Sequence, residues 1–181
     1  NMGFPEALGI AADLAECAAA EIVLLAVPMQ QLGGFLSALP QKNSPKYLVS
    51  CCKGIDLETG KGASALLQAQ APNAQAAVLT GPSFATDLAA GSPTALSLAC
   101  ADAAAGLYLQ AQLSTPSLRL YRSTDVIGAE LGGALKNVIA IACGVTIGAG
   151  LGDSARAALM ARGYVEMQRF AASLGARDHA M

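Results

Sequence analysis

The sequence predicts an α/β protein: a mostly parallel sheet with crossover helices over residues 1–124, then the start of an all-helical part over residues 125–181. Three observations carry this. Short apolar runs alternate with Ala-rich helical stretches as far as Tyr121. Several runs end abruptly at Pro or Gly and read as strands buried in a parallel sheet. From Val126 onward there is helix periodicity and no clear strand, which places a boundary near Ser123–Asp125.

Each element has a local reason. Asp13 suits the cap of a short helix through Cys17 and Ala20. Glu21 to Val27 is continuously apolar after its first residue and stops at Pro28, as a strand covered on both faces would. Gln30 to Leu39 reads as a helix ending near Pro40, and Tyr47 to Cys51 as the next strand. Ala63 to Ala71 is a helix closed by Pro72, and Ala77 to Thr80 a strand. Ser83 is expected to open another helix. Thr94 to Ala99 is a strand, Asp102 to Leu113 a helix, and Leu118 to Tyr121 the last strand.

Bulk properties narrow the function. Hydrophobic residues make up 54% of the 181 and charged residues 13%, so the chain can bury a large core. A net charge of −2, no tryptophan and few aromatics give no basic, stacking surface for nucleic acid. The five cysteines form no CxxC pair, and an odd count does not suit a disulfide framework; buried thiols in a reducing cytoplasm are expected. His179 is the sole histidine, so a zinc site and His-based triads lack parts. The apolar run Asn137 to Gly152 is too short for the roughly 20 residues of a bilayer span, and a buried core helix is expected there instead.

Chemistry concentrates at a few positions. In Glu130-Leu-Gly-Gly-Ala-Leu-Lys136-Asn137 one lysine stands in an apolar helix, with Gly132 and Gly133 four and three residues before it on the same face. That leaves room for a ligand beside an amine whose pKa burial would lower. The plain alternative is a lysine that snorkels out to water. Lys53 follows a strand directly, where open α/β sheets hold ligands, although solvated loop lysines occur there too. Gly81-Pro82-Ser83 also follows a strand, and with a helix N-terminus it would form an anion site or simply a well-capped helix. Pro28 ends the first strong strand at the same edge. Asp153 and Arg156 are spaced to pair on one helix turn.

The segments LLAVPMQ, SCCKGIDLETG, VLTGPSFATDLAAGSPTALSLA, YRSTDVIGAELGGALKNVIAIACG and GDSARAALMARGYVEM together resemble the bacterial NAD(P)-dependent glycerol-3-phosphate dehydrogenases over nearly the whole chain. The resemblance implies a Rossmann-like dinucleotide-binding domain (1–124) joined to a helical substrate domain (125–181), both incomplete. It implies interconversion of sn-glycerol 3-phosphate and dihydroxyacetone phosphate with NAD or NADP, in the cytoplasm, feeding phospholipid synthesis. It implies that Lys136 is the proton acceptor and donor. Lys53 would contact cofactor and substrate; Gly81, Ser83 and Asn137 the substrate; Ala85 and Pro28 the cofactor side. The family's Gly-rich phosphate loop matches nothing here, nor does its downstream Asp and Ser-Arg-Asn segment, and Ser154 stands where the family usually has Asn. An inactive fragment is therefore expected, with impaired cofactor binding and an exposed apolar face that homo-oligomers could cover. The competing readings are a dehydrogenase of the 6-phosphogluconate or 3-hydroxyacid type, and a non-catalytic interaction module in which Lys136 is structural.

Overall fold

The computed structural model describes residues 8–40 and 45–177. His179 lies outside the described residues. The elements run α1 (Leu14–Ala18), β1 (Ile22–Leu25), α2 (Met29–Ala38), β2 (Tyr47–Ser50), α3 (Ala63–Gln70), β3 (Gln75–Thr80), α4 (Ala85–Ala89), β4 (Thr94–Cys100), α5 (Ala103–Leu113), β5 (Leu118–Ser123), α6 (Val126–Gly148) and α7 (Gly152–Ser173).

The sheet keeps chain order, β1-β2-β3-β4-β5. Strands β1 to β3 are parallel, β4 runs antiparallel to β3, and β5 is parallel to β4. The mostly parallel expectation holds, and one reversal divides the sheet. Its consequence is that β1, β2 and β3 end at one edge while β5 ends at the other.

Alternation of side chains sorts the helices between the two faces. Leu25 and Leu48 pack with Met29, Leu32 and Leu36 of α2 and with Ala63, Leu66 and Leu67 of α3. Val78 and Ala99 lie against Ala129 of α6. Tyr47, Val49, Ala77, Leu98 and Leu120 point the other way, onto Ala105 and Leu109 of α5. Helices α2, α3 and α6 thus share one face and α5 covers the other.

Side-chain caps explain three helix starts, the first being Asp13, whose Oδ1 accepts from Ala15 N at 2.9 Å at the head of α1. Asp102 Oδ1 accepts from Ala105 N at 2.6 Å at the head of α5, and Asp125 Oδ1 accepts from Gly128 N at 2.9 Å at the head of α6. Asp125 Oδ2 also accepts from Arg177 N at 2.8 Å, which ties the end of α7 to the start of α6. The loop between α6 and α7 turns through Gly150 and Gly152, both at positive φ (70° and 84°). Asp153 and Arg156 pair at 3.1 Å, as their spacing anticipates.

Four expectations need correction. Strand β1 is not covered on both faces: it ends the described sheet, only Leu25 is buried, and Leu24 is 49% exposed. Ser83 does not open a helix; α4 begins at Ala85, has five residues, and takes Phe84 as its N-cap without a side-chain hydrogen bond. Helix α6 is not a buried core helix throughout. Its first half packs on the sheet, while its second half packs beside α7 and leaves Val138, Ile141 and Val145 exposed. At 23 residues it is long and apolar enough to cross a membrane by length and composition alone. Nor are all thiols buried: Cys17 is exposed, Cys51 and Cys52 are partly so, and Cys100 and Cys143 are buried.

Candidate active site

The site grows out of the edge where β1, β2 and β3 end. After β3 the chain reverses through Gly81, which closes a tight turn in which Ser83 N donates to Gly81 O at 3.1 Å. Gly81 has no room for a side chain, because a Cβ there would stand 2.8 Å from Leu96 Cδ2. Its carbonyl oxygen becomes the focus of the site. Lys136 Nζ donates to it at 3.0 Å and Lys53 Nζ at 3.4 Å.

The two lysines arrive from opposite ends of the architecture. Lys53 follows β2 directly. Lys136 comes from α6, which starts after β5 at the far edge. Eleven residues of helix separate Asp125 from Lys136, about 16 Å at 1.5 Å per residue, and that length carries Lys136 back across the sheet to Gly81. The path needs α6 to lie close to the strands. Gly133 permits this: a Cβ there would stand 2.5 Å from Thr80 Oγ1. Gly133 leaves its space to Thr80 of β3, and both Gly132 and Gly133 line a cavity of about 250 Å³ together with Thr80, Gly81, Pro82 and Lys136. A larger, apolar cavity of about 650 Å³ continues from Lys136 between α6 and α7, past Ile139, Cys143, Met160 and Tyr164.

Electrostatics follow from this convergence. Removal of Lys136 from water lowers its pKa below the usual 10.5, and the nearby positive charge of Lys53 lowers it further. A lysine so placed is more readily neutral than an ordinary surface lysine. Its ammonium tip is held on a backbone oxygen rather than directed into solvent.

The structure thus brings Lys136, Lys53 and Gly81 into contact, with Ser83 in the same turn. Pro28, as the N-cap of α2, and Ala85, as the first residue of α4, stand exposed beyond the same strand ends. Asn137 follows Lys136 on α6 and is also exposed; no described hydrogen bond joins these three residues to either lysine. Among the described residues no cluster of His, Cys, Asp and Glu could hold a metal ion.

Sequence reasoning missed two neighbours. Thr80 is buried, and its hydroxyl has no hydrogen-bond partner within the described protein. Glu130 reaches from α6 to α3, where Oε1 accepts from Ser64 N at 2.7 Å and Oε2 from Ser64 Oγ at 2.6 Å. A residue separation of 66 hides that contact from any local pattern.

An open strand-end edge on a mostly parallel sheet, with a further helical part packed beside it, is where dinucleotide-binding α/β proteins hold their ligand. The sequence profile described as NAD-dependent glycerol-3-phosphate dehydrogenase N-terminus matches residues 1–106, and its C-terminus counterpart matches residues 125–181. The chain belongs to the NAD-dependent glycerol-3-phosphate dehydrogenase family. It is 62% identical to a glycerol-3-phosphate dehydrogenase [NAD(P)+] of Cereibacter sphaeroides, across 98% of this chain and 58% of that one. It is 47% identical to one from Sinorhizobium fredii, across 97% and 53%. The crystal structure of the Coxiella burnetii glycerol-3-phosphate dehydrogenase superimposes with a TM-score of 0.84 at 32% identity, across 98% and 55%. The chain spans about half the length of the curated relatives it matches. The sheet and its helices are accordingly Rossmann-like, followed by the start of a helical part.

Proposed function

We propose that this chain carries the catalytic lysine, and part of the cofactor- and substrate-binding surface, of an enzyme that interconverts sn-glycerol 3-phosphate and dihydroxyacetone phosphate with NAD or NADP in the cytoplasm. Residues 1–124 serve as part of the dinucleotide-binding domain and residues 125–181 as part of the substrate domain. The single observation that carries the reading is the meeting of Lys136 and Lys53 on the Gly81 carbonyl.

The residues present suit such a cofactor. The Gly81 turn has no space for a Cβ and so offers bare backbone, and two cationic side chains stand at the strand ends. The nicotinamide ring, when bound, supplies acceptance and return of the hydride. The protein's own part is the proton. Lys136, in its neutral form, takes the proton from the alcohol oxygen of glycerol 3-phosphate and returns it to the ketone oxygen in the reverse direction. Lys53 acts as a point charge for phosphate or substrate oxygen, and its proximity keeps part of Lys136 neutral. Gly81, Ser83 and Asn137 face the substrate; Pro28 and Ala85 flank the cofactor.

Replacing Lys136 by Ala in the full-length protein carrying this chain is expected to lower kcat by roughly 10²-fold or more, the usual scale for a general acid–base group. Steady-state assay of dihydroxyacetone phosphate reduction measures it. An unchanged kcat would favour the non-catalytic reading.

A further inference from the structure

We propose that Glu130 is a positioning residue for the Lys53–Lys136 pair: by capping α3 from α6, it sets the separation between the loop that carries one lysine and the helix that carries the other. This rests on the functional reading above and adds a residue to it.

The geometry is a closed circuit. The segment between β2 and α3 carries Lys53 near its start and Ser64 just beyond its end. It is braced along its length. Gln30 of α2 donates from Nε2 to Ile55 O at 2.8 Å and accepts from Leu57 N at Oε1 at 3.0 Å. Asp56 Oδ2 accepts from Thr59 N at 2.8 Å and from Thr59 Oγ1 at 2.5 Å, and Asp56 N donates to Lys61 O at 2.9 Å. A braced loop moves as a unit, so fixing its far end fixes Lys53.

Glu130 fixes that far end. Helix α3 has Gly62 as its N-cap and therefore no cap from its own side chain. The N–H and hydroxyl of Ser64 are instead taken by the Glu130 carboxylate, both oxygens engaged. The fit is close: a Cβ on Gly62 would stand 2.6 Å from Glu130 Oε2. Burial raises the Glu130 pKa, so holding this carboxylate here has a desolvation cost that a side chain from α3 itself would avoid. What the distant cap adds is connection. Six residues later, about 9 Å along the same helix, Lys136 closes the circuit on Gly81, where Lys53 also ends.

The test uses the full-length protein, with two readouts: kcat, and the pH dependence of alcohol oxidation. Among the described residues, the titratable groups facing Lys136 are Lys53 from the braced loop, and Cys143 of α6 with Tyr164 and Arg156 of α7, which line the cavities it borders. Glu130→Ala opens the circuit without touching α7. It is expected to lower kcat roughly ten- to a hundredfold, the scale of a small misplacement of reacting groups. It is also expected to move the rising limb of the pH profile to higher pH, because Lys53 no longer sits close enough to depress Lys136. Glu130→Gln retains a hydrogen-bonding amide and is expected to restore both readouts to near the parent values. Gly62→Ala attacks the same contact from α3 and is expected to reproduce Glu130→Ala; should Glu130→Ala not fold, Gly62→Ala decides by the same readouts. A parent-like kcat and pH profile in the folded Glu130→Ala or Gly62→Ala protein overturns the proposal, and so does a Glu130→Gln protein as impaired as Glu130→Ala. A parent-like kcat in Lys136→Ala would instead overturn the functional reading itself.

Discussion

At the scale of single residues, the site depends on two like charges sharing one acceptor. The Gly81 carbonyl has two lone pairs and receives Lys136, Lys53 and the Ser83 N–H. The Lys53 ammonium is close enough to disfavour a proton on Lys136. The sign for Lys136 is therefore downward from 10.5, with burial the larger cause and Lys53 the second. A base must be neutral to act, so alcohol oxidation should rise with pH through this lowered value. Replacing Lys53 by Met removes the second cation while keeping an unbranched side chain. In Lys53→Met, the Lys136 pKa is expected to rise and the ascending limb of kcat against pH to move upward. Profiles of the two full-length proteins at saturating substrate check it, and coincident limbs would mean that Lys53 has no electrostatic hold on Lys136. The lowered pKa of Lys136 was legible from the apolar run around it. Its actual acceptor was not, because Gly81 lies 55 residues away and only the fold joins them.

At the scale of elements, the decisive contact is α6 against β3. Sequence spacing placed Gly132, Gly133 and Lys136 on one face and suggested space for a ligand; all three line one cavity, and Thr80 presses close to Gly133. Close packing of α6 on the strand is what lets an eleven-residue run from Asp125 end at the active edge. Gly133→Ala is expected to push α6 off Thr80 and cost about 1–3 kcal/mol, typical of overpacking. Thr80→Ala removes the obstructing hydroxyl, so the double variant should recover most of that loss. A double-mutant cycle on denaturant midpoints measures the coupling, and strict additivity would show that the two residues do not press on each other. Several elements were readable because each has a local cause: Asp13 as a cap, Pro28 as a strand stop, Pro72 just past α3. Three features escaped, two of them because their causes are not local. The antiparallel turn of β4 is a pairing decision between distant strands. The late start of α4 reflects a turn closed by Gly81 and Ser83, so that the Gly-Pro-Ser run is spent on reversing the chain. The exposure of Leu24 goes with β1 having, among the described residues, a partner on one side only.

At the scale of the whole molecule, hydrophobic patterning gives the two-part organisation but not what covers each surface. An amphipathic helix normally shows one polar face. Helix α6 lacks one beyond Asn137, and the described packing leaves Val138 62%, Ile141 68% and Val145 65% exposed. Residues 138, 141 and 145 lie at spacings of three and four, so they form one stripe rather than scattered exposure. The apolar cavity between α6 and α7 adds Ile139, Met160 and Tyr164 close to it. Contiguous apolar surface of this kind drives association in water. The 181-residue chain alone is therefore expected to self-associate with increasing concentration. Replacing Ile141 by Glu and Val145 by Lys sets an i,i+4 ion pair in the middle of the stripe and should shift the protein toward monomer. Light scattering over a concentration series distinguishes the cases. If the unsubstituted chain stays a monodisperse monomer at high concentration, the stripe is not sticky enough to matter. If the substituted chain associates equally, a different surface is responsible, and the exposed edge of β1 is the next to test by placing a lysine at Leu24.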